Sequence, residues 1–187
     1  DDAYVEVKSI DVPGATLEMH DEAMKYRIYR LDSPMQPGER ASLTFDTLRE
    51  QQGFRASEND TRLVHIGTFL NNSEFMPQLG MSRSGLLSDR APRRKYDLPA
   101  ELRMPTLEDE SAREQNYVNI VDWVMSDITL STDADQEPIA PGSRVSDEVI
   151  GDRRVARFIS SSPILGFFSV QSARYEVAKR SDDGVDI

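Results

Sequence analysis

The chain has 187 residues, 38% of them hydrophobic and 29% charged, with a formal net charge of −11 and no cysteine. That composition is one of a folded domain with enough length for a proper core, and its acidity excludes a nucleic-acid partner, which needs a cationic footprint. The lack of cysteine removes disulfides, thiolate metal sites and cysteine nucleophiles together, and no run approaches the roughly 18 apolar residues of a membrane-spanning helix.

In chain order, Tyr4 to Val12 and Met24 to Leu31 alternate or nearly alternate, and both are predicted as strands. Pro13-Gly14 between them is a turn signal, and Asp32-Ser-Pro-Met-Gln-Pro-Gly38 is a longer one before Ala41 to Phe45 alternates again. Leu63 to Leu70 repeats the strand chemistry. Residues 82 to 110 are Arg- and Pro-rich without periodicity and are expected as a long excursion from the sheet. The acidic run from Thr106 to Gln115, with Thr106 as its cap and negative charge in its first turn, predicts one short helix near 106–118.

Asp122 to Ser131 reads as a strand carrying Trp123, Met125, Ile128 and Leu130, whose alternation slips once as a bulge would make it. Val155 to Ile159 and Phe167 to Val177 follow as strands, separated by Ser160-Ser-Ser-Pro163. Short strands with Gly, Pro, Asn and Asp punctuation predict a mainly β fold: an antiparallel β-sandwich or saddle-like set of sheets, as one domain over 1–187. The chain starts in a strand pattern without an initiator Met and ends in Arg180-Ser-Asp-Asp-Gly-Val-Asp-Ile187, which reads as a fragment excised from a larger protein.

Candidate chemistry is sparse. His20, beside Asp21 and Glu22, offers a metal ligand or base in principle, but the surrounding residues favour a hairpin tip. His65 falls in a strand pattern, where a satisfied, partly buried histidine is the expected role. Asp133-Ala-Asp-Gln-Glu137 resembles the start of a calcium loop, yet Pro138 holds the position where such a loop needs glycine, so a solvated acidic turn is favoured. Hydrolysis by Asp133, Asp135 and Glu137 is a further reading, with no partner residues at motif spacing beside them. Ser84 lacks the Gly-x-Ser-x-Gly elbow, and Asn59-Asp-Thr61 and Asn71-Asn-Ser73 match the glycosylation acceptor pattern. Arg83, Arg90, Arg93, Arg94 and Lys95 form a cationic island suited to an acidic partner or a membrane surface, or else to offsetting nearby carboxylates. No catalytic, cofactor-binding or metal-ligating residue is assigned.

A resemblance gives the chain a context. Leu31 to Glu39 with Pro34, Pro37 and Gly38, then Gly53-Phe54, Gly67-Thr-Phe-Leu-Asn-Asn72, Phe75-x-Pro77, Arg93-Arg-Lys95, Ser131 to Gln136, Ile139-Ala-Pro-Gly142 and Ser169 to Val177 make it similar to an N-terminal β-domain. The family is that of the aminopeptidase N-like (gluzincin) ectodomains, in the branch fused to bacterial ABC-transporter permeases. The resemblance implies a non-catalytic, extracytoplasmic (periplasmic) domain of a bacterial inner-membrane protein. There it acts as scaffold or docking wall for a following zinc-peptidase-like domain, with that domain and the parent's transmembrane segments as intramolecular partners.

The family's His-Glu-x-x-His motif, which supplies two zinc ligands and a general base, does not occur in this sequence. The fragment is therefore expected to be no enzyme and to need no cofactor, with zinc expected, if anywhere, in the downstream domain. Phe75-Met-Pro77 is followed by Gln78-Leu79-Gly80 where the family carries acidic residues, which argues against recognition of a substrate amine here. The alternative is a free-standing extracytoplasmic peptide- or carbohydrate-binding β-module, using a sheet edge, the 82–110 excursion or a pocket around Trp123.

Overall fold

A computed structural model describes residues 3–51, 62–80, 86–99, 106–112 and 122–186. The chain is mainly β. In order, its strands are β1 (Ala3–Asp11), β2 (Ala15–Asp21), β3 (Tyr26–Leu31), β4 (Thr44–Gln51), β5 (Leu63–Val64), β6 (Gly67–Asn71), β7 (Trp123–Val124) and β8 (Asp127–Asp133). Then come β9 (Glu137–Ile139), β10 (Ser143–Ile150), β11 (Arg153–Ile159), β12 (Ile164–Leu165), β13 (Ser169–Ala173), β14 (Ser181–Asp182) and β15 (Val185–Asp186). They form several small antiparallel sheets. The larger two run β5-β6-β13-β9 and β10-β11-β8, and β1-β4, β2-β3, β7-β12 and β14-β15 are two-stranded.

One short α-helix stands among the described residues. It is α1 (Arg90–Lys95), inside the Arg- and Pro-rich excursion. The described part of 106–118 holds a turn and a 3-10 turn over Glu110–Ala112, and 113–118 lie outside the described residues. A cap and an acidic first turn favour a helix only where an apolar stripe can pack, and Leu107 there is 94% exposed.

The core of the described residues sits where β9 meets the three-stranded sheet. Alternation on β11 sends Ala156 and Phe158 inward and leaves Arg153 and Arg157 outside, while β8 contributes Ile128, Leu130 and buried Thr132 to the same face. Pro138 of β9 is fully buried. Polar groups join the second sheet to this core: Ser172 of β13 donates from its hydroxyl to Gln136 Oε1 at 2.8 Å, both residues being buried. Ser160 accepts the Ser126 amide at 2.9 Å on its hydroxyl, and its own amide donates to the Ser126 carbonyl at 3.0 Å. Burial favours such pairing, and the Ser126 hydroxyl is the exception among these groups, with no hydrogen-bond partner among the described residues.

The slip in alternation after Trp123 is a change of sheet rather than a bulge. Trp123 and Val124 pair with Leu165 and Ile164, and the chain breaks over Met125-Ser126 before Asp127 pairs with Ile159. At the other end, Pro13-Gly14 makes the turn its residues predict. Ala15 donates to the Val12 carbonyl at 3.2 Å and Gly14 takes φ +74, a left-handed value that costs glycine little.

Candidate binding groove

Residues of the β1-β4 and β2-β3 ribbons line an open groove of about 290 Å³, together with residues 73–80. A β-bulge creates its first wall. Val7 pairs with Thr47 but Ser9 pairs with Asp46, so Lys8 is the extra residue, and Ile10 returns to the face that carries Val5 and Val7. Strict alternation would have sent Ile10 to the opposite face.

Period-two alternation builds the second wall. Arg27, Tyr29 and Leu31 share the half-buried face of β3, while Tyr26, Ile28 and Arg30 are exposed. The hairpin turn that carries Lys25 is held by Asp21, whose Oδ1 accepts the Met24 amide at 2.9 Å, and Lys25 itself takes φ +52. Lys25, Arg27 and Tyr29 all reach the groove.

The third wall is Phe75-Met-Pro-Gln-Leu-Gly80. Three anchors fix it. Thr47 of β4 donates its hydroxyl to the Phe75 carbonyl at 2.7 Å. Asn72 donates its amide nitrogen to the Gly166 carbonyl at 2.7 Å and accepts the Phe168 amide at 3.3 Å. Glu74 accepts the Asn71 amide on Oε2 at 2.8 Å, closing a capping box, and meets Arg62 at 2.5 Å and Arg49 at 3.6 Å through Oε1. The carboxylate that lines the groove is thus already engaged. Lys25 and Arg27 form no ion pair among the described residues.

Other residues singled out in the sequence are placed apart from this groove or engaged in other contacts. Asp133 pairs with Arg153 at 2.8 Å, Asp135 with Arg174 at 2.5 Å, and Glu137 with both Arg144 and Arg154. Each carboxylate of the calcium-loop-like run therefore has its own arginine. The four-membered set is completed by Asp147, which Arg154 meets at 2.5 Å and Arg144 at 2.8 Å. The hydrogen bond from Arg154 holds the Asp147 carboxyl below its usual value against the opposing effect of desolvation, and the same bond raises Arg154. On the outer face, the hydrogen bond from Arg157 likewise lowers Asp127. No group of three or more His, Cys, Asp or Glu side chains suited to a metal comes together among the described residues.

The two histidines exchange their expected places. His20 lies within β2, directly opposite Arg27, and the hairpin tip is Glu22 to Lys25. His65 is exposed at the two-residue turn between β5 and β6, because the predicted Leu63–Leu70 strand folds back on itself. In the cationic island, Arg93 is buried at 5% exposure, its Nε donating to the Pro99 carbonyl at 2.5 Å and its Nη1 to the Leu87 carbonyl at 2.7 Å. Arg90, Arg94 and Lys95 are exposed, and Arg83 lies outside the described residues. Trp123 is 63% exposed and does not line the groove. Asn59-Asp-Thr61 and Ser84 also lie outside the described residues.

The sequence reading missed Lys25 and Arg27. The signal was present, since Arg27 occupies the same alternation phase as Tyr29 and Leu31, where an apolar residue is the norm. Comparison with protein-family models, curated proteins and solved structures finds no match to this chain.

Proposed function

We propose that this chain is a non-catalytic docking domain that receives a segment of another polypeptide in the groove between the β1-β4 and β2-β3 ribbons. Its setting, on the family resemblance, is the extracytoplasmic face of a bacterial inner-membrane protein in which an ABC-transporter permease is joined to an aminopeptidase-like ectodomain. The role is that of a docking wall. The observation that carries this reading is the groove itself: apolar walls from three separate segments, fixed by specific hydrogen bonds, around a space of about 290 Å³. Such a cleft suits one layer of apolar side chains from an inserted chain. The carboxylates with any claim to chemistry are neutralised by arginines, which favours binding over hydrolysis.

The test is a screen of the purified chain against an immobilised array of random-sequence hexapeptides, alongside a Val7→Lys variant that places an ammonium on the groove wall. Retention of apolar peptides by the parent chain, and its loss in the variant, is the expected result. Equal retention by both proteins would sink the reading. So would turnover of aminopeptidase or glycosidase substrates that disappears when Asp133, Asp135 or Glu137 is replaced by its amide.

A further inference from the structure

The arginines of the three-stranded sheet each hold a carboxylate, as Arg144, Arg153, Arg154 and Arg157 do. Lys25 and Arg27, at the hairpin end of the groove, hold none among the described residues. Arg27 is half-buried and its guanidinium meets no anion among the described residues, and a planar fork lining the groove favours a carboxylate. Glu74 does not neutralise the pair, because both its oxygens are already bound by Asn71, Arg62 and Arg49.

An apolar wall next to two cations unmatched among the described residues defines a ligand with both characters. Resting on the docking reading above, we infer that the segment received is extended and carries an apolar side chain followed two residues later by a carboxylate. Residues i and i+2 of an extended chain share a face and stand about 6.6 Å apart. The apolar group packs against Val7 and Tyr29, and the carboxylate meets Arg27 and Lys25. The apolar anchor is required, since a net charge of −11 repels a ligand that is merely acidic.

The probes are four fluorescein-labelled, C-terminally amidated hexapeptides read by anisotropy with the full 187-residue chain. Three have the pattern Ser-Phe-Ser-X-Ser-Gly with Glu, Gln or Lys at X, and the fourth keeps Glu but replaces Phe by Ser. The Glu peptide is expected to bind about tenfold tighter than the Gln peptide, with the Lys peptide weaker and the Phe-less peptide silent. Arg27→Gln should bring the Glu peptide down to the Gln level and leave the Gln peptide within about twofold. Lys25→Asn keeps a residue that tolerates the φ of +52 and should weaken only the Glu peptide, by about threefold. If Arg27→Gln loses its far-ultraviolet dichroism, Lys25→Asn decides alone. Equal binding of the Glu and Gln peptides, or discrimination that survives the substitutions, overturns the acidic specificity and leaves docking intact. No binding by any Phe-containing peptide overturns both.

Discussion

Arg144 and Asp147 stand three residues apart on one β-strand and still present their side chains to the same face, with Arg144 Nη1 2.8 Å from Asp147 Oδ2. Alternation would place them on opposite faces. The register explains the exception: Arg144 pairs with Phe158 and Ser146 with Arg157, so Val145 is the extra residue of a bulge, and Asp147 returns to the inner face opposite Ala156. The bulge brings both charges to Glu137 and Arg154, and it lays the Arg144 guanidinium over the Phe158 ring at 5.3 Å. It also bends an exposed edge strand and places a charge on its inner face, two devices that discourage edge-to-edge pairing.

Asp147→Asn removes one anion from a set of two arginines and two carboxylates whose side chains are 14–30% exposed. The expected loss is about 1–2 kcal/mol at neutral pH, less than for a fully buried pair because water still screens it. A urea midpoint that drops with an unchanged slope is the readout. Acid supplies a second check. The folded-state value of Asp147 is depressed, so its stabilisation is complete above the unfolded carboxylate value of about 3.9 and is lost as pH falls through the lower folded value. The variant should therefore lose less stability than the parent between about pH 5 and 2. Parallel pH curves would show that Asp147 is not linked to folding.

Gly142→Ala should be among the most damaging single-atom changes. A Cβ there would stand 2.5 Å from the carbonyl carbon and oxygen of Ile159 and 2.7 Å from the Ser160 nitrogen, all backbone, at φ +99. Gly151→Ala is the internal control, with φ +63 and nothing within 4 Å. The control is expected to lose about 1 kcal/mol from backbone strain alone, and Gly142→Ala at least about 2 kcal/mol. Similar melting temperatures for the two would mean that the approach of residue 142 to β11 is not tight in solution.

Much of the fold was legible because alternation reports directly on a strand with one buried face. Tyr4 to Val12, Met24 to Leu31 and Val155 to Ile159 overlap β1, β3 and β11 on that signal. β10 carried none, since all eight of its residues are exposed and its bulge breaks the period, leaving Ser143–Ile150 readable only once β11 is in place. The helix at Arg90–Lys95 was not legible for a related reason. α1 is held less by an amphipathic stripe than by Arg93 reaching two carbonyls of its own loop, each six residues away, a contact that leaves no periodic pattern in the sequence. In the groove, the Phe75–Gly80 segment stands out in the sequence, whereas its meeting with two separate ribbons does not, because that meeting is tertiary information.

Asn72 shows how one side chain acts at a distance in sequence. Its amide bonds Gly166 and Phe168, more than ninety residues away in sequence, and its backbone nitrogen donates to the Phe168 carbonyl at 2.8 Å. Asn72→Ala should lose about 2 kcal/mol, the sum expected for two hydrogen bonds whose partners lose their mate in a part-buried site. Asn72→Asp keeps the acceptor for Phe168 but sets a carboxylate oxygen against the Gly166 carbonyl, so it should be no better than alanine. Hydrogen exchange localises the effect: the Phe168 amide should exchange faster in Asn72→Ala, and unchanged exchange there would refute the assignment.

The cationic island divides by burial, and substitution should expose the division. Arg93 is 5% exposed and donates from Nε and Nη1 to carbonyls at Pro99 and Leu87, so the guanidinium fork ties the two ends of the α1 loop together. Lysine carries the same charge on a single nitrogen and cannot hold that fork geometry. Arg93→Lys is therefore expected to lose about 1–2 kcal/mol, whereas Arg94→Lys, at an exposed neighbour, should stay within about 0.5 kcal/mol. Limited trypsin digestion provides a local readout, because both variants retain a cleavable cation. Arg93→Lys should be cut within 86–99 markedly faster than the parent, and Arg94→Lys at the parent's rate. Equal cleavage of all three would mean that the Arg93 fork does not hold the loop, and that its charge belongs with the exposed cations around it.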